Sequence, residues 1–433
     1  MSFPKWELRR IKNSKFAHNV GWMIFGQGSG FLFQAAYFVV LARLLGPLQY
    51  GIYSGAFAFT NLVATYSTVG MGMIFLRRVT KDRATHAVNW GSILLTTAVV
   101  GPTLVLLLHL VARKALNPQS AALVIMAGIA NCVFAPLTTE TARIFQTYEQ
   151  MRLTAIMSML TNLFRALAAV AMLLTIHSAS AGQWAFVAMV LSGVSAFIAV
   201  LLVCTRFGWP KFRPSVPLKE AGEGIGYAFA GSTTQVYNDI DKTLLSHFGM
   251  NQATGVYSMA YRVLDIATIP IYAVRDAAMP RIFKVGHEGP APGAIMAREL
   301  LKKTIPVSIA ISIALYFVAP LIPMILGPGF LESQRALRWL CVIPIFRVIH
   351  QMNGTALAGS GFQAYRTTAQ LVACGFNFGV NLWLIPYTAA HMGTGWLGAA
   401  WSSVATDALL GLLNWSFLRF VVANAAKQEA TNA

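Results

Sequence analysis

Gly51-Ile-Tyr-Ser-Gly-Ala-Phe57 recurs as Gly255-Val-Tyr-Ser-Met-Ala-Tyr261. The echo extends upstream, where Leu41-Ala-Arg-Leu-Leu-Gly46 answers Leu244-Leu-Ser-His-Phe-Gly249, and Gln49 and Gln252 each follow three residues after the glycine. One additional residue in the second copy takes up the register difference. A repeat of about two hundred residues is too long for a soluble solenoid unit and suits the duplicated halves from which many transporters are built.

The surrounding composition says what kind of halves these are. The chain has 433 residues, of which 56% are hydrophobic and 11% charged, and its mean hydropathy is +0.59. A soluble fold with so little charge would need an almost purely apolar core, whereas membrane-spanning helices account for it directly. A span needs about 20 mostly apolar residues, and open sheet edges are not tolerated in lipid, so the long apolar runs are predicted to be helices. The fold class predicted is all-α, a polytopic membrane protein of about 12 transmembrane helices in two six-helix halves. The spans fall near 18–42, 52–76, 91–112, 120–140, 153–176, 183–205, 224–247, 256–279, 304–326, 336–358, 367–388 and 396–418.

Basic residues orient this map, because Lys and Arg collect in short cytoplasmic loops. Lys5, Arg9, Arg10, Lys12 and Lys15 precede the first span, and alternate connections carry Arg77, Arg78, Lys81 and Arg83, then Arg143 and Arg152, then Arg206, Lys211, Arg213 and Lys219, then Arg281, Lys284, Arg298, Lys302 and Lys303. The intervening connections hold only Arg43, Arg113, Lys114, Arg335 and Arg338. Both termini are therefore predicted to be cytoplasmic. Domain boundaries follow: a basic N-terminus at 1–17, an N-terminal lobe at 18–214, a C-terminal lobe at 215–422 and a tail at 423–433. The proline-bearing connection Phe207 to Glu220 is the predicted linker.

The net charge of +18 is spread over loops on one membrane side with no nucleic-acid module, so membrane lipid headgroups are the expected partner and nucleic acid is not. Cys132, Cys204, Cys341 and Cys374 lack metal-ligand spacing and are expected to be reduced packing residues. No cofactor is called for.

Ionisable residues inside spans carry the mechanistic information. Arg165, Lys242, Arg262, Arg275, Arg347, Asp239, Asp241, Asp265, Asp276 and Asp407 fall there, and at about 2.5 to 3.5 kcal/mol each these ten would together cost on the order of 30 kcal/mol facing lipid. That exceeds the roughly 5 to 15 kcal/mol by which folds are stable, so pairing, the interface or a wet cavity must accommodate most of them. In the seventh span, Thr234, Gln235, Asn238, Asp239, Asp241 and Lys242 share one helix face, whereas the first span offers only Gln27 and Gln34. This face is expected either to line an aqueous cavity or to make buried contacts between helices. Asp239 with Lys242 and Arg262 with Asp265 stand at i,i+3 and are expected to neutralise one another locally. Arg165 and Arg347 have no acid within one turn, which suits an outside anion such as a phosphate. A lone intramembrane Arg also binds helix carbonyls or a distant acid such as Asp407, so both roles stand open.

Four segments together resemble the multidrug, oligosaccharidyl-lipid and polysaccharide (MOP) exporter superfamily, in particular its Wzx-type polysaccharide flippases. They are Leu41-Ala-Arg-Leu-Leu-Gly-Pro-Leu-Gln-Tyr-Gly-Ile-Tyr-Ser54; Asp241-Lys-Thr-Leu-Leu-Ser246 with Gly255-Val-Tyr-Ser258; Leu357-Ala-Gly-Ser-Gly361; and Asn381-Leu-Trp-Leu-Ile-Pro386 with Gly398-Ala-Ala400. The resemblance implies a MATE-like fold in the bacterial inner membrane. It also implies a flippase that moves undecaprenyl-diphosphate-linked oligosaccharide by alternating access for O-antigen, exopolysaccharide or capsule synthesis, alongside a polysaccharide polymerase and a chain-length regulator. On this view Arg165, Arg347, Lys242, Arg262, Gln235 and Asn238 are the candidate substrate-binding residues for diphosphate and sugar. Asp239, Asp241 and Asp407 are the candidates for ion coupling. The alternatives are a MATE-type multidrug or cation antiporter and, further off, a membrane polymerase or glycosyltransferase. The latter is disfavoured by short outer connections and by the lack of paired outer carboxylates, a Gly-rich phosphate loop or a metal motif. The one long connection, between Pro386 and Gly398, exceeds the superfamily's usual short outer turn and is expected to be a specialised loop.

Overall fold

The computed structural model describes residues 15–432, and every described element is helical. Lys5, Arg9, Arg10 and Lys12, and the side chains of Gln27 and Thr234, lie outside the described residues. The first helix, α1 (Lys15–Ala64), is kinked at Gly46, whose φ of 65° a side-chain-bearing residue rarely adopts and which precedes Pro47. Then follow α2 (Met71–Lys81), α3 (His86–Ala115), α4 (Val124–Thr147), α5 (Met151–Thr175) and α6 (Ala181–Phe207). The second half contains α7 (Ser215–His247), α8 (Asn251–Ala267), α9 (Ile269–Gly286), α10 (Pro290–Val318), α11 (Leu331–Leu340), α12 (Ile343–Gly359), α13 (Gln363–Met392) and α14 (Trp396–Asn432). Eight stretches among the described residues are long and apolar enough to cross a membrane. The chain is a multi-pass, all-α membrane protein.

Several of the prolines inside predicted spans stand at or next to helix starts, whereas Pro306 and Pro386 are interior to α10 and α13. Pro136 is at the start of the helical turn after a π-helical stretch, Ile129–Phe134, within α4; Pro270 and Pro344 open α9 and α12; Pro320 precedes a short helix, Leu321–Leu326. Proline lacks the amide that an interior turn donates, and the first turn needs none, so Pro270, Pro320 and Pro344 divide apolar runs into shorter helices. Pro102 is interior to α3. The connection expected between Pro386 and Gly398 is largely helix: α13 continues through Pro386 to Met392, and a turn with Gly393 at φ 71° leads straight to α14.

Contacts divide the chain into two units, one of residues up to Leu45 with Ala56–Ser232, the other of Gly46–Gly55 with Thr233–Ala433. In the first, Met71 and Phe75 of α2, Trp90 of α3, Phe145 of α4, Met157 of α5 and Val203 of α6 form one buried cluster. The start of α7 is fastened to α2 by ion pairs of Arg77 with Glu223 and Arg78 with Glu220. In the second unit Ile282, Ala297, Leu357 and Leu418 join α9, α10, α12 and α14, while Tyr237, Ala369, Ala373 and Leu410 join α7, α13 and α14. The four cysteines are free, three of them buried.

The repeated motif is a contact in its own right. Gly51 and Gly255 face each other so closely that a Cβ on Gly51 would lie 1.7 Å from the Asn251 carbonyl oxygen, and one on Gly255 would lie 1.9 Å from that of Pro47. One turn on, the Ser54 and Ser258 hydroxyls share a hydrogen bond of 3.0 Å. Small residues let helix backbones approach in lipid, where hydrophobic burial gives no preference for helix over lipid tail, and a polar pair across the crossing adds roughly 0.6 to 2 kcal/mol.

Candidate functional site

Most of the ionisable residues that the sequence places in the membrane meet inside the second unit. Asp241 of α7 is fully buried and accepts hydrogen bonds from the Tyr257 hydroxyl of α8, from Ser403 of α14 at 3.0 Å and from the Lys242 amide at 2.7 Å. Three donors from two helices and the chain itself satisfy most of the carboxylate's acceptor capacity, which is how a charge is kept away from water. Two residues back, Asp239 pairs with Lys242 at 2.8 Å, the i,i+3 pair expected from sequence, and the same ammonium donates to the Asn238 carbonyl.

Tyr261, the last residue of the second motif copy, links this face to α12. Its hydroxyl donates to Asn238 Oδ1 at 3.2 Å and accepts from Arg347 Nη2 at 3.0 Å. Its ring lies under Lys242 Nζ at 4.5 Å and the Arg347 guanidinium at 5.7 Å. Two cations on one aromatic ring are held by the ring's electron-rich faces and by the carboxylates beside them. Tyr50, from the first motif region, hydrogen-bonds Arg262.

Of the roles left open for Arg347, the structure shows pairing with a distant acid, Asp265 in place of Asp407. Arg347 is an ion-paired group, 3.1 Å from Asp265 of α8 and donating also to Thr268 at 3.2 Å. Asp265 stands 82 positions away in the chain, outside any search within one helical turn, and it takes Arg347 rather than serving only its i,i+3 neighbour. The pair is lopsided: the Arg347 side chain is 3% exposed and that of Asp265 is 40% exposed. Arg165 belongs to the first unit, where its Nη2 donates to Ser192 at 2.8 Å and its buried Nε has no partner. Gln235 is exposed and Asn238 half-buried, so the α7 face is open at one end and sealed at the other.

Asp407 of α14 is buried, and its Oδ1 lies 3.1 Å from His350 Nε2 of α12, a histidine that nothing in the chain's local pattern sets apart from the others. Neither atom makes an aligned hydrogen bond, and Asn353 Nδ2 and Asn414 Oδ1 on the same two helices are also buried without partners. Sequence alone missed Tyr261, Asp265 and His350 as members of one site. The exact repetition of Tyr at 53 and 257 and the aromatic pair Phe57 and Tyr261 are the signals available for the first.

These helices build the all-α membrane fold seen in solved proteins of the MOP superfamily. The chain aligns with an inward-facing multidrug resistance MATE family transporter of the MOP superfamily at a TM-score of 0.76 and 14% identity, covering 92% of this chain and 96% of that one. With the lipid II flippase MurJ, in an inward closed conformation, the TM-score is 0.71 and the identity 11%, covering 92% and 87%. An outward-facing MATE transporter aligns at 0.64 and 13%, covering 94% and 95%. No curated protein matches the chain by sequence. Residues 16–285 match the family model described as polysaccharide biosynthesis protein, and the chain belongs to that family.

Proposed function

We propose that this protein is a flippase that carries undecaprenyl-diphosphate-linked oligosaccharide repeat units across the bacterial inner membrane, by alternating access, for O-antigen, exopolysaccharide or capsule synthesis. The observation that carries the reading, beside the family, is the Arg347–Asp265 pair. A buried guanidinium whose counterion is partly exposed is a preorganised anion site: an incoming diphosphate displaces Asp265 toward water and takes two parallel hydrogen bonds from Arg347. Lys242 and Arg262 supply further positive charge, and Gln235 and Asn238 offer amides to sugar hydroxyls. Arg165, in the first unit, is a separate hydrogen-bond donor to phosphate. The lipid tail stays in the bilayer. Both termini lie in the cytoplasm, and the product passes to a polysaccharide polymerase and its chain-length regulator.

Ion coupling is assigned to Asp407, whose Oδ1 stands 3.1 Å from His350 Nε2, a buried pair able to hold one proton between them, while Asp239 and Asp241 hold the network together.

A second reading, a MATE-type antiporter of drugs or organic cations, draws on the buried carboxylates of Asp239, Asp241 and Asp407 and on the aromatic rings of Tyr257 and Tyr261. Export in cells separates the two. Replacing Arg347 or Arg165 with Gln is expected to stop polysaccharide export at normal protein levels; unimpaired export with lost cation resistance would favour the antiporter.

A further inference from the structure

A cavity of about 630 Å³ opens on the second unit, at the end of the helices where α7 turns into α8 and α13 into α14, the two turns meeting at Met250 and Gly395. The cavity adjoins the start of α12, whereas the other end of α12 packs at Gly359 on Phe283 of α9, beside the basic residues Arg281 and Lys284. Under the charge asymmetry of the loops the cavity end is extracytoplasmic. Its volume falls in the range of small-ligand sites, about 300 to 1,000 Å³.

Glu332, Arg335, Arg338 and Trp339 of α11 form one wall, and spacings of three put the first three on one stripe. The turn Met392-Gly393-Thr394 with Trp396 forms the other. Glu332 and Arg335 neutralise one another at 2.9 Å. Arg338 has no such acid among the described residues: its guanidinium lies over the Tyr316 ring at 5.1 Å, and its buried Nε has no hydrogen-bond partner. The cavity is therefore net positive by one charge. Trp339 is 50% exposed and braced edge-on by Trp401 at 5.5 Å, so it presents a fixed, solvent-facing ring. Trp396 is 4% exposed, and its indole N–H is buried without a partner.

We propose that this cavity binds the saccharide part of the transported lipid on the outer face, and that it selects a sugar carrying a carboxylate. The proposal rests on the flippase reading. An exposed, rigid aromatic ring accepts the apolar C–H face of a pyranose, an ion-paired Glu–Arg couple hydrogen-bonds hydroxyls in either direction, and an unpaired planar guanidinium takes a carboxylate through two parallel bonds. A lipid headgroup phosphate would satisfy Arg338 but leaves the ring and the Glu332–Arg335 couple without a role. The helical extension of α13 beyond Pro386 builds this wall, which gives the lengthened α13–α14 connection a use.

The test is binding to the full chain in phosphatidylcholine nanodiscs, followed by tryptophan fluorescence, with trigalacturonate as the acidic probe and maltotriose as the neutral one. Saturable binding of trigalacturonate is expected, with little binding of maltotriose and an affinity about tenfold weaker in Arg338→Gln, the loss of one charge-assisted pair. Trp339→Phe should retain binding and Trp339→Ala lose it; thermal unfolding checks that each variant is folded. Absence of saturable binding, equal binding of maltotriose, or wild-type affinity in Arg338→Gln overturns the proposal. So does complete competition by phosphatidylglycerol included in the nanodisc, which would mark a headgroup site. Flipping by the wild-type chain in proteoliposomes is measured separately: saccharide binding without flipping retires the transport reading, whereas flipping without binding retires this site alone.

Discussion

Ser54 and Ser258 stand 204 positions apart, occupy equivalent places in the two copies of the repeated motif, and are hydrogen-bonded to each other at 3.0 Å. The duplication has produced a crossing of one copy with the other, with Gly51 and Gly255 at its closest point.

Bulk at that point has nowhere to go, since the nearest atoms are backbone. Gly51→Leu or Gly255→Leu should therefore abolish the folded protein, read as loss of a monodisperse species in detergent. Ser54→Ala with Ser258→Ala removes both hydroxyls together and should cost only about 0.6 to 2 kcal/mol, a small fall in unfolding temperature. A wild-type unfolding temperature in Gly51→Leu would show that the crossing is dispensable.

Lys242 is buried against Asp239, so removing one partner strands a charge. Lys242→Met alone should destabilise by roughly 3 to 5 kcal/mol, and Lys242→Met with Asp239→Leu should recover much of that loss. The double variant is the useful one: if it is stable and still transports, the pair is structural only.

The polar face of α7 and the Asp239–Lys242 pair are legible in the sequence through local periodicity, because i,i+3 neighbours meet on any helix. Periodicity does not reach Asp265 beside Arg347 or His350 beside Asp407, since those pairs depend on which helices adjoin. The repeat announces two equivalent copies, but equivalence carries no information about contact, so the meeting of Gly51 with Gly255 is hidden from it. Composition marks the spans yet does not show that Pro270 and Pro344 begin helices rather than bend them.

Water access distinguishes a cavity-lining face from a sealed one. Cysteines introduced at Gln235 and Asn238 should react with a membrane-impermeant thiol reagent, the former faster because Gln235 is exposed and Asn238 half-buried. A cysteine at Asp241, where the side chain is fully buried, should be protected. Full protection at Gln235 would count against the wet face.

The proton role of Asp407 and His350 predicts a specific loss. Asp407→Asn and His350→Gln should each remove the stimulation of transport by an imposed pH gradient, while the protein unfolds at close to the wild-type temperature. Retained stimulation in both variants would move the coupling site elsewhere, with Asp239 and Asp241 next in line.

Transport itself is the most direct test. Purified protein in proteoliposomes should bring undecaprenyl-diphosphate-linked oligosaccharide to the opposite leaflet, where a membrane-impermeant lectin or glycosidase reaches it, and Arg347→Gln should slow this by about tenfold or more. An unchanged leaflet distribution with the wild-type chain, in vesicles where the same protein exchanges an organic cation for protons, would contradict the flippase reading.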